Sequence, residues 1–144
     1  MTKDGSTFVA DPRLLKELHT LSQAVTLQSD GILFHQGDKP IGVYILLNGS
    51  VALSMSSGKE TTMRTVASEG SLLGLPAVIG SKPYSLTAQA TPGAELRFVR
   101  AEDFLELMRH NPIYMFPVLQ VLAQEIRAAR EAFSEFVDAT GVVS

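Results

Sequence analysis

Apolar and polar positions alternate in three different ways along the chain. In DPRLLKELHTL, which starts at Asp11, the leucines recur at the spacing of one helix face. Asp11 is suited to cap this helix, and Pro12 suits its first turn. From about residue 24 the apolar residues fall instead into short, strand-like runs, and from residue 101 a helical period returns. The pattern predicts a short helix, then a set of strands, then C-terminal helices.

The strand-like runs in the middle of the chain are separated by turns that contain glycine. The runs are AVTLQS, ILF, GVYILLN, SVALSMS, TTMRTVA, SLL, YSLTAQA and ELRFV. Many short strands at close spacing favour an antiparallel barrel or sandwich. Asn48-Gly49, between two of the runs, is a hairpin signal. We predict a mainly β fold with flanking α-helices: an antiparallel β-roll or jelly-roll barrel over about residues 24–100. Residues 1–10 are expected to be disordered, and residues 11–144 to form one domain.

The C-terminal residues, about 101–139, predict two helices. Asn111-Pro112 ends the first, AEDFLELMRHN, and Pro117 marks either a kink or a late start of the second. The second helix is long, and its apolar residues alternate in steps of three and four, as in a coiled-coil seam. These seam residues are Leu119, Leu122, Ile126, Ala129, Phe133 and Phe136. The seam either packs on the chain's own barrel or pairs two copies of the chain. We favour a parallel homodimer, because Phe133 and Phe136 are expected to extend beyond the barrel.

Composition narrows the classes of function. The chain has no cysteine, which excludes disulfides, thiolate zinc sites and cysteine-ligated iron–sulfur clusters. Its three histidines, His19, His35 and His110, do not have the spacing of a metal-ligand pair. No P-loop or nucleophile elbow is present. We therefore predict that the protein is not an enzyme and has no metal site.

Charge and hydropathy bear on partners and location. The net charge of −3 gives no general attraction to nucleic acid. No run reaches the roughly 18 apolar residues of a membrane span. The start, MTKDGSTFVADP, lacks the apolar core of a signal peptide. We expect a cytoplasmic protein with no membrane partner.

Several short motifs occur in the order of a known family. In residues 32–54, Gly37, the Tyr44-Ile45-Leu46 core and Gly49 have the spacing of that family's opening strands. Residues 70–74 resemble the entry to its phosphate-binding cassette, and residues from 101 onwards resemble its paired closing helices. From about Leu14 to Asp138 the chain resembles the cyclic nucleotide-binding domain of the Crp-Fnr superfamily.

The resemblance implies a function as well as a fold. It implies a stand-alone sensor domain that takes a cyclic nucleotide as its ligand and signals through a homodimer of the C-terminal helix. The family's DNA-binding winged helix has no counterpart in the sequence, so no direct contact with nucleic acid is expected.

The cassette itself corresponds to GLPAVIGSKPYSLTA, residues 74–88. In the family, a Gly-Glu pair starts the short helix of the cassette, and the glutamate holds the ribose hydroxyl. An Arg-Ser pair starts the next strand and holds the cyclic phosphate. In this sequence the two pairs become Gly74-Leu75 and Tyr84-Ser85, followed by Leu86. The resemblance therefore implies a ligand site at these five residues that has lost its glutamate and its arginine.

Other residues are candidates to supply the missing charge. Arg64 shares a strand face with Val66, and an inward Val66 would bring Arg64 inward too. Lys82 lies in the cassette bend. The family's base-contacting position falls at Ala129 and Arg130. For each of the three cations, the alternative is a solvated side chain.

These observations lead to a small-ligand-sensing regulatory domain with a degenerate cassette. Two alternatives stay open. One is a sensor for haem or a cyclic dinucleotide. The other is a module that binds no ligand and serves dimerisation or protein interaction.

Overall fold

The structure is a computed structural model that describes residues 10–124, except for the side chains of residues 62–64. The helices are α1 (Pro12–Leu21), α2 (Leu75–Gly80) and α3 (Ala101–His110), then a 3-10 turn (Pro112–Tyr114) and α4, helical over 115–124. The strands are β1 (Gln23–Ala24), β2 (Ile32–Phe34), β3 (Gly42–Asn48), β4 (Val51–Ser57), β5 (Glu60–Ala67), β6 (Leu72–Leu73), β7 (Thr87–Ala90) and β8 (Glu95–Arg100).

The strands in this part of the chain form two four-stranded antiparallel sheets. The first has the order β1-β8-β3-β6 and the second the order β2-β7-β4-β5. The predicted mainly β fold with flanking helices is confirmed.

The hairpin predicted at Asn48-Gly49 is wrong. The strands on either side, β3 and β4, lie in different sheets: β3 pairs with β6 and β8, and β4 pairs with β5 and β7. Gly49, at φ +95°, turns the chain from one sheet to the other, and a Cβ there would lie 2.9 Å from the Cβ of Ala94. A turn motif predicts that the chain changes direction, but it does not determine which strands pair with each other. The two-residue hairpin lies instead at Gly58-Lys59, where Ser57 pairs with Glu60.

Two apolar clusters hold the fold together, and β3 contributes to both. Tyr44 and Leu46 belong to a cluster with residues of both sheets. Val43 and Ile45 belong to a cluster with residues of the helices. Because β3 is buried on both faces, its sequence is a continuous apolar run rather than an alternating one.

The helices cover the first sheet. The carboxylate of Asp11 caps α1 as predicted, accepting a 2.7 Å hydrogen bond from the backbone N–H of Arg13. Asn111 ends α3 as predicted. Pro117 lies in the first turn of α4, so it marks the late start of this helix and not a kink within it. The buried residues of these helices that form the helix-side core include Leu14, Leu18, Phe104, Val118 and Val121.

Three predicted boundaries need correction. Ala10, placed in a disordered segment, is buried and donates a 3.1 Å hydrogen bond to the Gly70 carbonyl. Of AVTLQS, residues 24–29, only Ala24 lies in a strand, the two-residue β1. The strand predicted to open at Tyr84 begins at Thr87, because the backbone of Tyr84 bonds to the turn at residues 37–38 instead.

Candidate ligand-binding cassette

Gly74 joins β6 to α2 in a conformation that favours glycine. Its φ is +94°, in the left-handed region. A Cβ at Gly74 would lie 2.9 Å from Cε1 of Tyr84. The glycine therefore lets the ring of Tyr84 pack against the start of the cassette helix.

Tyr84, which the resemblance matches to the family's arginine, has a side chain that is fixed at both ends. The side chain is buried, with the residue 3% exposed. Its hydroxyl donates to the Gly42 carbonyl at 2.8 Å and accepts from the backbone N–H groups of Gly42 and Ile41 at 3.2 and 3.1 Å. Its ring stacks on Phe34, with centroids 3.9 Å apart. The resemblance implies a ligand-binding role for Tyr84, whereas its hydroxyl is engaged by the backbone of Ile41 and Gly42.

The cavity at the cassette is small and apolar. Its volume is about 20 Å³. That volume holds about one water molecule, whereas small-molecule sites measure roughly 300–1,000 Å³. None of the described residues that line it carries a charge; they include Phe34, Leu53, Leu73, Ala77, Tyr84 and Leu86.

The five predicted cassette residues do not all meet at this cavity. Gly74, Tyr84, Ser85 and Leu86 line it. Ser85 is exposed at its edge. Leu75, which the resemblance matches to the family's glutamate, is fully buried in the helix-side core instead. A carboxylate at position 75 would therefore need a different side-chain placement to reach a ligand in the cavity.

None of the three candidate cations has a described side chain that lines the cavity. Lys82 is exposed and does not line it. Arg64 pairs with Ser54 in the ladder of β4 and β5, but its side chain lies outside the described part of the structure. Val66 is 41% exposed, so the reason for expecting Arg64 to point inward fails. Ala129 and Arg130 also lie outside the described residues.

The predicted dimer seam is only partly described. Leu119 is 54% exposed on α4. Leu122 is half-buried and packs against the helix-side core of its own chain. The remaining seam residues, Ile126, Ala129, Phe133 and Phe136, lie outside the described residues.

An aromatic cluster that the sequence analysis missed surrounds Tyr84. Phe34 lies between the two tyrosines, and the ring of Tyr44 is 5.9 Å from that of Phe34 and 4.9 Å from that of Phe98. Burial raises the pKa of Tyr44, and the neighbouring Tyr84 raises it further. The sequence held one signal that Phe34 belongs to the site: it directly precedes the turn at residues 35–38, whose backbone bonds to Tyr84.

Two further observations concern residues 10–124. This stretch contains no group of three histidine or acidic side chains placed to hold a metal ion. None of its helices combines the length and the apolar character needed to cross a bilayer.

Comparison with known proteins agrees with this fold. Over 99 residues the chain is 29% identical to the cyclic AMP receptor protein of Thermus thermophilus; the match covers 67% of this chain and 45% of that protein. The crystal structure of the Thermus thermophilus catabolite activator protein matches 86% of this chain and 59% of its own, with a TM-score of 0.71 and 24% identity.

A third relative is more distant in sequence but equally similar in fold. The c-di-GMP-responsive regulator CLP of Xanthomonas campestris matches 93% of this chain and 66% of its own, with a TM-score of 0.72 and 13% identity. The chain thus spans 45–66% of the length of these three proteins. The cyclic nucleotide-binding domain family matches residues 24–111. The chain belongs to the cyclic nucleotide-binding domain family.

Proposed function

We propose that this chain is a non-catalytic regulatory domain whose cassette no longer holds a cyclic nucleotide. A small ligand is sensed elsewhere on the domain, and the C-terminal helix passes the signal to a second copy of the chain. The observation that carries the proposal is the Tyr84 hydroxyl, which sits on the backbone of Gly42 where the family's arginine would face a phosphate.

Energetics support the loss of nucleotide binding. A hydrogen bond to a charged group contributes roughly 1.5–3 kcal/mol, so losing the glutamate and the arginine removes about 3–6 kcal/mol. That corresponds to about 10²- to 10⁴-fold in affinity. A cavity of about 20 Å³ without a charged residue in its described lining also leaves a phosphate without space and without a countercharge from residues 10–124 whose side chains are described.

The alternatives with larger ligands meet the same obstacle. CLP responds to a cyclic dinucleotide, a ligand larger than a cyclic mononucleotide, and this cassette is closed even to the smaller one. No histidine lines the cassette cavity to serve as a haem ligand. Neither alternative is favoured by a described contact.

The homodimer through the C-terminal helix is part of the proposal. Val118 and Val121 bury one face of α4 against the chain's own core, whereas Phe116 and Leu119 are 69% and 54% exposed. A helix with a second apolar face is suited to a partner. The same exposed face supports the second candidate function, a dimerisation module that senses no ligand.

A thermal-shift screen tests the proposed function. Cyclic AMP, cyclic GMP and cyclic di-GMP are each added to this chain, with the Thermus thermophilus cyclic AMP receptor protein as a control for cyclic AMP. A ligand at 100 times its Kd adds about 2.7 kcal/mol, or roughly 5–10 °C for a domain of this size. We expect no rise for this chain. A saturable rise with any of the three would overturn the proposal.

A further inference from the structure

A second concave site, much larger than the cassette cavity, lies between α1 and the end of β3. Its volume is about 490 Å³, against about 20 Å³ at the cassette. Volumes of roughly 300–1,000 Å³ are typical of sites for small molecules. The size of this groove therefore admits a ligand that the cassette excludes.

The floor of the groove is apolar. Leu15 of α1 and Ile45 and Leu47 of β3 line it. Ile45 is buried, but Leu47 is 41% exposed. The groove therefore offers a hydrocarbon chain a concave apolar surface, and such contacts contribute roughly 25 cal/mol for each Å² removed from water.

Most polar groups that line the groove are already bonded. The Thr20 hydroxyl donates to the Glu17 carbonyl at 2.7 Å. The N–H of Gly70 donates to the Leu46 carbonyl at 2.8 Å, and its carbonyl accepts from Ala10. A ligand head group would therefore have to be met by other residues of the lining.

Two cationic or titratable side chains meet that requirement. Lys16 and His19 line the groove three residues apart on α1, and so share one face of the helix. Neither side chain has a hydrogen bond or an ion pair with a described residue. No aspartate or glutamate of residues 10–124 lines the groove, so an anion there meets no like charge among the described lining residues.

We propose that this groove binds a free fatty-acid anion. The hydrocarbon chain lies over Leu15, Ile45 and Leu47, and the carboxylate pairs with Lys16 and His19. Charge complementarity favours this occupant: one end of the ligand is apolar like the floor, and the other is opposite in sign to the Lys16 ammonium, which has no ion pair with a described residue.

The groove is physically connected to the helix that the proposed function uses for output. The buried face of α1, Leu14 and Leu18, packs in the same cluster as Val118 and Val121 of α4. A ligand that shifts α1 therefore acts on residues that position α4. This coupling rests on the proposed function, whereas binding in the groove does not.

Calorimetric titration with sodium decanoate, kept below its micelle concentration, tests the site. We expect saturable binding of one decanoate per chain. Lys16→Glu is expected to weaken it at least about tenfold, the value of one charge-assisted hydrogen bond, and Leu47→Glu to abolish it. Two matched controls are expected to bind as the wild type does: Val66→Glu, whose side chain is as exposed as Leu47, and Lys82→Glu, a cation outside the groove. Circular dichroism checks that every variant is folded.

Three results would overturn the inference: no saturable binding of decanoate, equal affinity in folded Leu47→Glu, or decanol binding as tightly as decanoate with no effect of Lys16→Glu. The last of these results would mean that the groove binds a neutral ligand. A cyclic nucleotide that binds the cassette would instead refute the proposed function and leave the decanoate result unaffected.

Discussion

The ring of Tyr84 stacks on the ring of Phe34, with centroids 3.9 Å apart and an angle of 16° between their planes. Both residues line the small cavity at the cassette. Because the hydroxyl of the same tyrosine bonds to the start of β3, the residue closes the cassette by both packing and hydrogen bonding. Where the resemblance implies an arginine, the cassette therefore has a side chain with structural contacts.

The hydroxyl of Tyr84 is expected to stabilise the fold. Tyr84→Phe keeps the ring stack but leaves a carbonyl and two N–H groups without this partner. Leaving buried polar groups unsatisfied lowers the free energy of unfolding by about 1–3 kcal/mol, measurable by urea denaturation. Tyr114→Phe is the control, since the half-buried Tyr114 has no hydroxyl bond to a described residue. Equal stability of Tyr84→Phe and wild type would refute the structural role.

Gly74 is expected to be required for a contact as well as for its backbone conformation. Gly74 and Gly37 have nearly the same φ, +94° and +95°, but of the two only Gly74 has neighbours that a Cβ would meet: the ring of Tyr84 at 2.9 Å and the Gly42 carbonyl oxygen at 3.2 Å. Gly74→Ala should therefore be less stable than Gly37→Ala by about 1 kcal/mol or more, the usual penalty of overpacking. Equal losses in thermal denaturation would mean that the contact with Tyr84 contributes nothing.

The raised pKa of Tyr44 predicts how stability changes with alkaline pH. The folded state holds the phenol proton more tightly than the unfolded state, so this contribution is complete below the ordinary tyrosine pKa of about 10. It is lost as pH rises through the folded pKa. Above pH ~10, the wild type should lose unfolding free energy more steeply than Tyr44→Phe, and phenolate absorbance should follow the same range. Parallel pH profiles would contradict this assignment.

Leu119 is expected to lie in the dimer interface. Leu119→Glu places a charge on the exposed face of α4 and should weaken self-association about tenfold or more, because an unpaired carboxylate is costly to bury. Light scattering over a range of concentrations measures this change, with Val66→Glu as a surface control. A Leu119→Glu chain that dimerises like the wild type would exclude this face. Phe133→Glu, in the seam beyond the described residues, should have the same effect.

The sequence predicted the elements better than their partners. Local signals located α1 through Asp11 and the end of α3 through Asn111-Pro112, because caps and proline act within a few residues. The signal at Asn48-Gly49 failed because strand pairing depends on residues far away in sequence, and β3 joins β8 rather than β4. Local chemistry does not contain that information.

The sequence predicted where the candidate site lies but not what its residues do. The sequence alone has Tyr84 where the resemblance implies an arginine. What Tyr84 does was not, because its partner Gly42 is 42 residues away. The groove at Lys16 and Leu47 was also missed, since it exists only where the folded chain brings α1 near the end of β3. Such sites are products of tertiary packing.

The most direct test of a closed cassette is a titration of cyclic AMP followed by NMR at the amides of Gly74, Ser85 and Leu86. The account predicts that these signals stay in place up to millimolar nucleotide. Saturable shifts confined to these amides, and reduced by cyclic GMP in competition, would show that the cassette opens and binds. That result would contradict the role assigned to Tyr84.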